Sequence, residues 1–564
     1  MRLVLRITGA ALIVAAVALS SAAIERLTGH PPGALRWGPL LFRALLVLHG
    51  AMLIALPRPA LSRPRLDLPW KPLVTLSFVA LALRLIRLDS CLWLDEVFAL
   101  VDTIRPPLAV ILTSFQSQNQ HMLYSALAHL CAQVFGESFW SIRLPAVLFG
   151  VGSIWPLYLL GRRLIGAQGA LLACILATVS YHHVWFSQNA RGYTGLLAFT
   201  LLATWLFLEA LDQDGWGRWL AYAIAGFLGA WIHLTMAFVL AGHVVVWLGK
   251  IGDSHHFSPG TTVLSPTTAG SEKWLTVPNF AKSRWKPVAA WLLCGTLTLQ
   301  AYALSLPQFL ATAAGEVSLR SEWIDPMWVV RESTRNLQVA FAGLAIVLLG
   351  AVIACAGWLD IFRRQRRAAL AVMLPPLLGG ATMLALQHNL WPRFFFFAMG
   401  FALLVAVHGA MVLTRKLPLS ADSARRAGMV LVAVVTAASA LTLPRCYALP
   451  KQDFTGARDY VERIRRPGET IAAVGLAGKI YPFFAPSWAT PAGDPEFAAL
   501  ESARPITWLV YTLPIQLRAW HPSIWAAMDR DFEVVRAFPG TLGDGTVYVC
   551  RKRASGSGKM DADR

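Results

Sequence analysis

The sequence predicts an α-helical polytopic membrane protein that ends in a small α/β domain outside the membrane, and three observations carry that prediction. Of 564 residues, 56% are hydrophobic and only 14% charged, with a mean hydropathy of +0.53, too little charge to clothe a soluble chain of this size. The apolar residues fall in runs of about 20, the length that spans a hydrocarbon core. After Asp453 those runs stop and short alternating segments follow. The formal charge of +19 does not signal nucleic acid, because most Lys and Arg lie in short loops between apolar runs, where they set orientation. No nucleic-acid partner is expected; membrane lipids are the surroundings.

The first run, Leu3 to Ile24, follows Arg2 and carries small residues from Ser20 to Ala23, so it is either a cleaved signal peptide or a first membrane helix. With a second helix near 35 to 56 and a basic loop holding Arg58, Arg63, Arg65 and Lys71, it makes an N-terminal unit, residues 1–71. The positive-inside rule puts that loop in the cytoplasm, so the helix near 72 to 88 exits outward and Asp95 and Glu96 lie outside. Arg162 and Arg163 mark the next return to the cytoplasm. Met122 to Phe135 is too short to cross, so residues 89–140 form one long outer loop and Ile142 to Leu160 is the crossing. The helix from Ala167 to Phe186 then delivers Ser187 to Tyr193 to the same face as Asp95.

After a helix near 194 to 211, the run Trp219 to Leu248 must turn near His233, because a single crossing would put Lys250, Lys282, Arg284 and Lys286 outside. The Ser/Thr/Pro/Gly-rich stretch 252–281 reads as a cytoplasmic loop. Helices near 287–305, 334–360, 368–386, 394–413 and 427–443 bring the count to about thirteen. Trp93, Trp140, Trp185, Trp323, Trp328 and Trp391 fall at predicted outer ends, the usual place of interfacial Trp. Residues 72–445 are the expected transmembrane catalytic region and 446–553 the outer α/β domain, with a helix at Gly456 to Ile464 and strands at Thr470–Gly475, Ile506–Thr512, Glu533–Phe538 and Thr546–Arg551. The tail 554–564 reads as disordered. The seven Cys match no zinc spacing, and a Cys446–Cys550 pair is left open.

Charge at the outer face needs a reason. Asp95 and Glu96, His121 with Tyr124, Gln188 with Arg191 and Tyr193, His233, and His388 with Arg393 supply a base, cations and hydrogen-bond donors on one side. ATP-driven chemistry does not suit that face, whereas a lipid-phosphate-activated substrate does. Its phosphate leaves without protonation, so the site needs a carboxylate base for an acceptor hydroxyl and fixed positive charge for the phosphate, which Arg supplies through its fork of donors.

Six elements carry a resemblance: Trp93-Leu94-Asp95-Glu96, His121-Met122-Leu123-Tyr124, Arg143-Leu144-Pro145, Gly161-Arg162-Arg163-Leu164, Ser187-Gln188-Asn189-Ala190-Arg191-Gly192-Tyr193 and Pro392-Arg393-Phe394. In this order the chain resembles the polyprenyl-phosphate-sugar-dependent glycosyltransferases of the C-type membrane fold (GT-C), a group that includes lipid A aminoarabinose transferases and protein O-mannosyltransferases. The resemblance implies Asp95 as base and Glu96 as its orienting or coordinating neighbour; the outer-face constellation gives His121, Tyr124, Gln188, Arg191, Tyr193, His233 and Arg393 as the expected substrate-binding residues. Met122-Leu123 replaces the family's Pro-Pro, and Phe394 stands for its usual Tyr. A divalent metal is left open, since some relatives bind one beside the first loop and others need none. The implied partners are a polyprenyl-phosphate sugar donor and a lipid, glycan or protein acceptor at the periplasmic face of a bacterial inner membrane.

Blander readings stand beside each residue. Acids favour a helix N-terminus, and interfacial Arg commonly snorkels. Arg143 and Glu137 read as loop anchors, and Asp89 as a loop cap. The competing functions are a transporter or flippase of lipid-linked sugars, which calls for an internal repeat and mid-membrane ionisable residues, and a scaffold whose outer domain binds a protein.

Overall fold

The computed structural model describes residues 2–55, 68–115, 120–255, 285–315, 340–387 and 390–553. Arg58, Arg63 and Arg65, most of 252–281, the acidic stretch 316–332 with Trp323 and Trp328, His388 and the tail lie outside those residues. Among the described residues six helices are long and apolar enough to cross a membrane, or up to eight if each of two bent pairs is one span. The protein is thus an integral membrane chain of several apolar helices followed by a small sheet. The larger number read from the sequence includes shorter helices such as Trp70–Leu85, of 16 residues, and Trp216–Ile232, of 17.

Two interruptions shape the bundle. One apolar candidate, Phe139–Thr178, spans 40 residues but is not a rod. A Cβ built on Gly161 would lie 3.1 Å from the Ala170 Cα, whereas nine residues of straight helix advance about 13.5 Å. The chain folds back at Gly166, whose φ of +81° is open to glycine and costly for other residues. The second interruption is at His233, between Trp216–Ile232 and Met236–His255, where the sequence expected a turn.

The long connection between Trp70–Leu85 and Phe139–Gly152 holds short helices, Leu94–Phe98, Leu108–Thr113 and Met122–Phe135, with a π-helical turn at Ala99–Ile104. Asp89 accepts the Trp140 N–H at 3.2 Å, which ties the start of the segment to the first turn of Phe139–Gly152, and Arg105 in its middle pairs with Glu137 near its end at 2.8 Å.

The C-terminal sheet comprises β1 (Thr470–Ala473), β2 (Ile506–Thr512), β3 (Phe532–Phe538) and β4 (Val547–Lys552) in the order β1-β2-β4-β3. β1 runs parallel to β2 through a helical crossover, and β4 is antiparallel to both β2 and β3. Period-two alternation sends Leu509, Tyr511 and Cys550 into one core, and Trp508, Val510 and Val549 into the other. Helices cover both faces, as a parallel pair requires. Cys446 and Cys550 are both free: Cys550 is buried in the sheet's core, while Cys446 faces Gln188.

Candidate functional site

Asp95 and Glu96 sit in the first turn of Leu94–Phe98 and diverge. Glu96 is fully buried. Its Oε1 accepts from Arg143 Nε at 2.7 Å and from the Ala190 N–H at 2.7 Å, while Oε2 accepts from Arg143 Nη2 at 2.6 Å and from the Trp93 N–H at 3.4 Å. The last bond is the returning half of a capping box, N3 acid to N-cap N–H. Arg143 also donates to the carbonyls of Leu88, Ser90 and Cys91. Burial pushes the Glu96 carboxyl up, but Arg143, Lys451 and the hydrogen bonds outweigh it and hold it below the ordinary carboxylate range. Glu96 therefore ties three segments together, and all its acceptor sites face inward.

Asp95 faces the other way. Its Oδ2 accepts from Arg393 Nη1 at 2.7 Å. Arg393 rises from the 3₁₀ turn Pro392–Ala398 and lies 3.8 Å over the Trp391 ring, a cation–π contact that fixes the guanidinium plane. Among the described residues its buried Nε has no hydrogen-bond partner.

The second cation is Arg191. Gly192 beside it must be glycine, because a Cβ there would meet His121 Nδ1 at 2.8 Å. Instead the Gly192 N–H donates to that Nδ1 at 2.8 Å. An imidazole that accepts at Nδ1 carries its proton on Nε2, and Nε2 stands 3.0 Å from Arg191 Nη2. Two N–H-bearing nitrogens thus lie side by side, an arrangement an anionic oxygen could bridge. Burial, then the charges of Arg191, His233 and Arg393, hold His121 well below the ordinary histidine range, so it is a neutral donor. His233 is lowered likewise by burial, Arg191 and Arg393. The Thr235 N–H donates to its Nδ1 at 3.2 Å, which places its proton on Nε2 too. The two rings are 4.5 Å apart, and Tyr193 packs against them at 5.1 and 5.7 Å.

The structure thus brings together Asp95, His121, Arg191, Tyr193, His233 and Arg393. It does not bring Tyr124 and Gln188 into that cluster. The Tyr124 hydroxyl donates to the Ile142 carbonyl at 2.7 Å, and Gln188 Nε2 donates to the carbonyls of Arg84 and Ile86 at 3.0 and 2.7 Å. Trp93 also departs from expectation: it is buried, not interfacial, and donates to Asn189 Oδ1 at 3.1 Å. Two residues the sequence did not flag lie just behind the site. Lys451 donates to the Gln188 carbonyl beneath the Trp185 ring, and burial, opposed by Glu96, lowers its pKa to about 8. Gln452 accepts the Leu94 N–H at 3.0 Å.

Among the described residues no three His, Cys, Asp or Glu side chains gather to hold a metal ion. Of the two adjacent acids, Glu96 is held by Arg143, so the described donor set beside Asp95 does not fit a divalent ion.

Apolar spanning helices with a buried carboxylate, two guanidiniums and two imidazoles at one end define an integral membrane protein with an anion-receptive site. Residues 119–262, a stretch that includes His121, Arg191, Tyr193 and His233, match the family model described as Dolichyl-phosphate-mannose-protein mannosyltransferase. The Bacillus subtilis protein named "Putative mannosyltransferase YkcB" is 26% identical to this chain over 20% of it, and the match spans 18% of that protein's length. Among solved structures, ArnT from Cupriavidus metallidurans bound to undecaprenyl phosphate is 13% identical, over 87% of this chain and 100% of that one, with a TM-score of 0.45. An Archaeoglobus fulgidus oligosaccharyltransferase in complex with Zn and sulfate is 12% identical, over 80% of this chain and 70% of that one, with a TM-score of 0.42.

Proposed function

We propose that the protein is an integral-membrane glycosyltransferase that moves a sugar from a polyprenyl-phosphate donor to an acceptor hydroxyl at the periplasmic face of a bacterial inner membrane. One observation carries the reading: the ion pair of Asp95 with Arg393, 298 residues apart, lies within electrostatic reach of His121 and His233 beside Arg191, which supports a base and a phosphate cradle in one site. The family match of residues 119–262 supports the same class of donor.

In the reaction the acceptor oxygen attacks the anomeric carbon while its proton passes to Asp95. The bond from that carbon to the phosphate oxygen breaks, its electron pair goes to the phosphate, and the lipid monophosphate departs. Arg191, His121 Nε2–H and the remaining donors of Arg393 hold the charge that develops, a stabilisation strongest where water is excluded. Arg393 bridges the two halves of the site, with Nη1 on the base and its other N–H groups available to the phosphate. Tyr193 and His233 wall the cradle. Glu96 orients the helix that carries Asp95.

The test is transfer by purified protein supplied with polyprenyl-phosphate sugars and candidate acceptors. Asp95→Asn removes the base, so the rate falls by about 10² to 10⁴ while donor binding persists. If wild-type protein transfers no sugar and Asp95→Asn leaves the cellular phenotype intact, the reading is wrong.

A further inference from the structure

The helix that carries Asp95 has no side-chain acceptor at its N-cap residue. Trp93 offers no acceptor at the N-cap, and the first four N–H groups of any helix need partners from elsewhere. Glu96 serves the Trp93 N–H. The Leu94 N–H is served by Gln452 Oε1, 358 residues away. Gln452 is fully buried, and its Nε2 donates to Thr512 Oγ1 at 3.1 Å, at the end of β2, whose hydroxyl in turn donates to the Thr546 carbonyl at 3.1 Å. One side chain thus spans from the first turn of the Asp95 helix to the C-terminal sheet.

The strap around Gln452 is held on both sides. The Thr541 N–H donates to the Pro450 carbonyl at 2.9 Å and the Leu542 N–H to the Lys451 carbonyl at 3.1 Å. Gly540 permits this approach, since a Cβ there would meet the Lys451 carbonyl oxygen. Trp185 Nε1 donates to Thr541 Oγ1 at 2.8 Å, and Lys451 reaches back to the Gln188 carbonyl. The sheet, the strap and the segment that presents Arg191 are therefore joined to the helix that presents Asp95.

We infer that the C-terminal α/β unit is a positioning element of the site, acting through Gln452, which caps the Asp95 helix from a distance and fixes the carboxylate against Arg393. The inference rests on the reading of Asp95 as base. The helix Leu94–Phe98 runs straight into the π-helical turn Ala99–Ile104, a stretch still short of the roughly 12–15 residues an isolated helix needs, so its placement depends on the partners that hold its first turn. Misplacing a catalytic group by about 1 Å costs up to about 10² in rate.

The experiment compares purified full-length Gln452→Ala and Gln452→Glu with wild type. Gln452→Ala lowers kcat about tenfold with the KM for the lipid donor unchanged, and Gln452→Glu, which keeps the acceptor for Leu94, recovers most of the rate. In the Asp95→Asn background, followed over long incubations, Gln452→Ala adds no further loss. Hydrogen exchange by mass spectrometry shows faster exchange across residues 93–98 in Gln452→Ala, with or without substrate. A full rate in Gln452→Ala, the same fractional loss repeated in Asp95→Asn, or unchanged exchange at 93–98 overturns the inference. Absence of transfer by wild type overturns the enzymatic reading instead, and the exchange experiment then still decides the coupling.

Discussion

Replacing Glu96 by Gln keeps its shape and removes its charge. Either orientation of the new amide sets an NH₂ against two donors: Arg143 Nε and the Ala190 N–H at one position, or Arg143 Nη2 and the Trp93 N–H at the other. The Arg143 cation is left without its counter-ion in a site with no exposed side-chain surface. Breaking a buried pair in this way costs about 3–5 kcal/mol. Thermal unfolding in detergent, read by tryptophan fluorescence, reports the loss. Glu96→Gln combined with Arg143→Met destabilises by less than the sum of the single changes, because the stranded charge is gone. The sign with pH follows from the lowered Glu96 carboxyl: its contribution is fully present above the ordinary value of 4.5 and is lost as pH falls through the lowered folded value. The Glu96→Gln protein lacks that part of the acid loss. A Glu96→Gln protein as stable as wild type but unable to transfer sugar would refute the structural role and return Glu96 to the chemistry.

Two further outcomes follow from the geometry. Arg393→Lys keeps the charge but gives up the planar stack on Trp391 and the fork that serves Asp95 and is proposed to serve the donor phosphate with it; steady-state kinetics should show kcat/KM for the lipid donor down by at least about tenfold, a loss of roughly 1.4 kcal/mol, and unchanged kinetics would remove Arg393 from the site. Tyr124→Phe deletes one bond to the Ile142 carbonyl and costs about 1 kcal/mol of stability, with transfer rates altered by no more than about twofold; a large rate loss at full stability would put the hydroxyl on substrate.

Local chemistry made the helices and strands legible. Met122–Phe135, the turn at His233 and β2 at Ile506–Thr512 are found where the sequence placed them, because each is marked by apolar periodicity or by its interruption. The gathering of Asp95, Arg191 and Arg393 depends on which helix ends meet, and parity along the chain supplied only the side on which they were expected. Which polar residues face the site was not legible. Tyr124 and Gln188 carry the same donors as substrate-binding residues, yet both hydrogen-bond to backbone carbonyls that helix ends leave open. Glu96 and Arg143 are 47 residues apart, and no local pattern announces their pairing. Lys451 and Gln452 look like ordinary polar residues after a helix, and only the tertiary fold buries them.

The bond between Leu94 and Gln452 also sets an order in time. A ribosome adding about 5–20 residues per second needs roughly 20–70 s to make the 358 residues that separate them. Throughout that interval the nascent membrane segment carries Asp95 on a helix whose Leu94 N–H lacks its acceptor on Gln452. Completion of the proposed site is therefore deferred until the α/β unit has emerged and folded, and a chain released before it would hold every membrane residue of the proposed cradle without the Gln452 contact on the Asp95 helix.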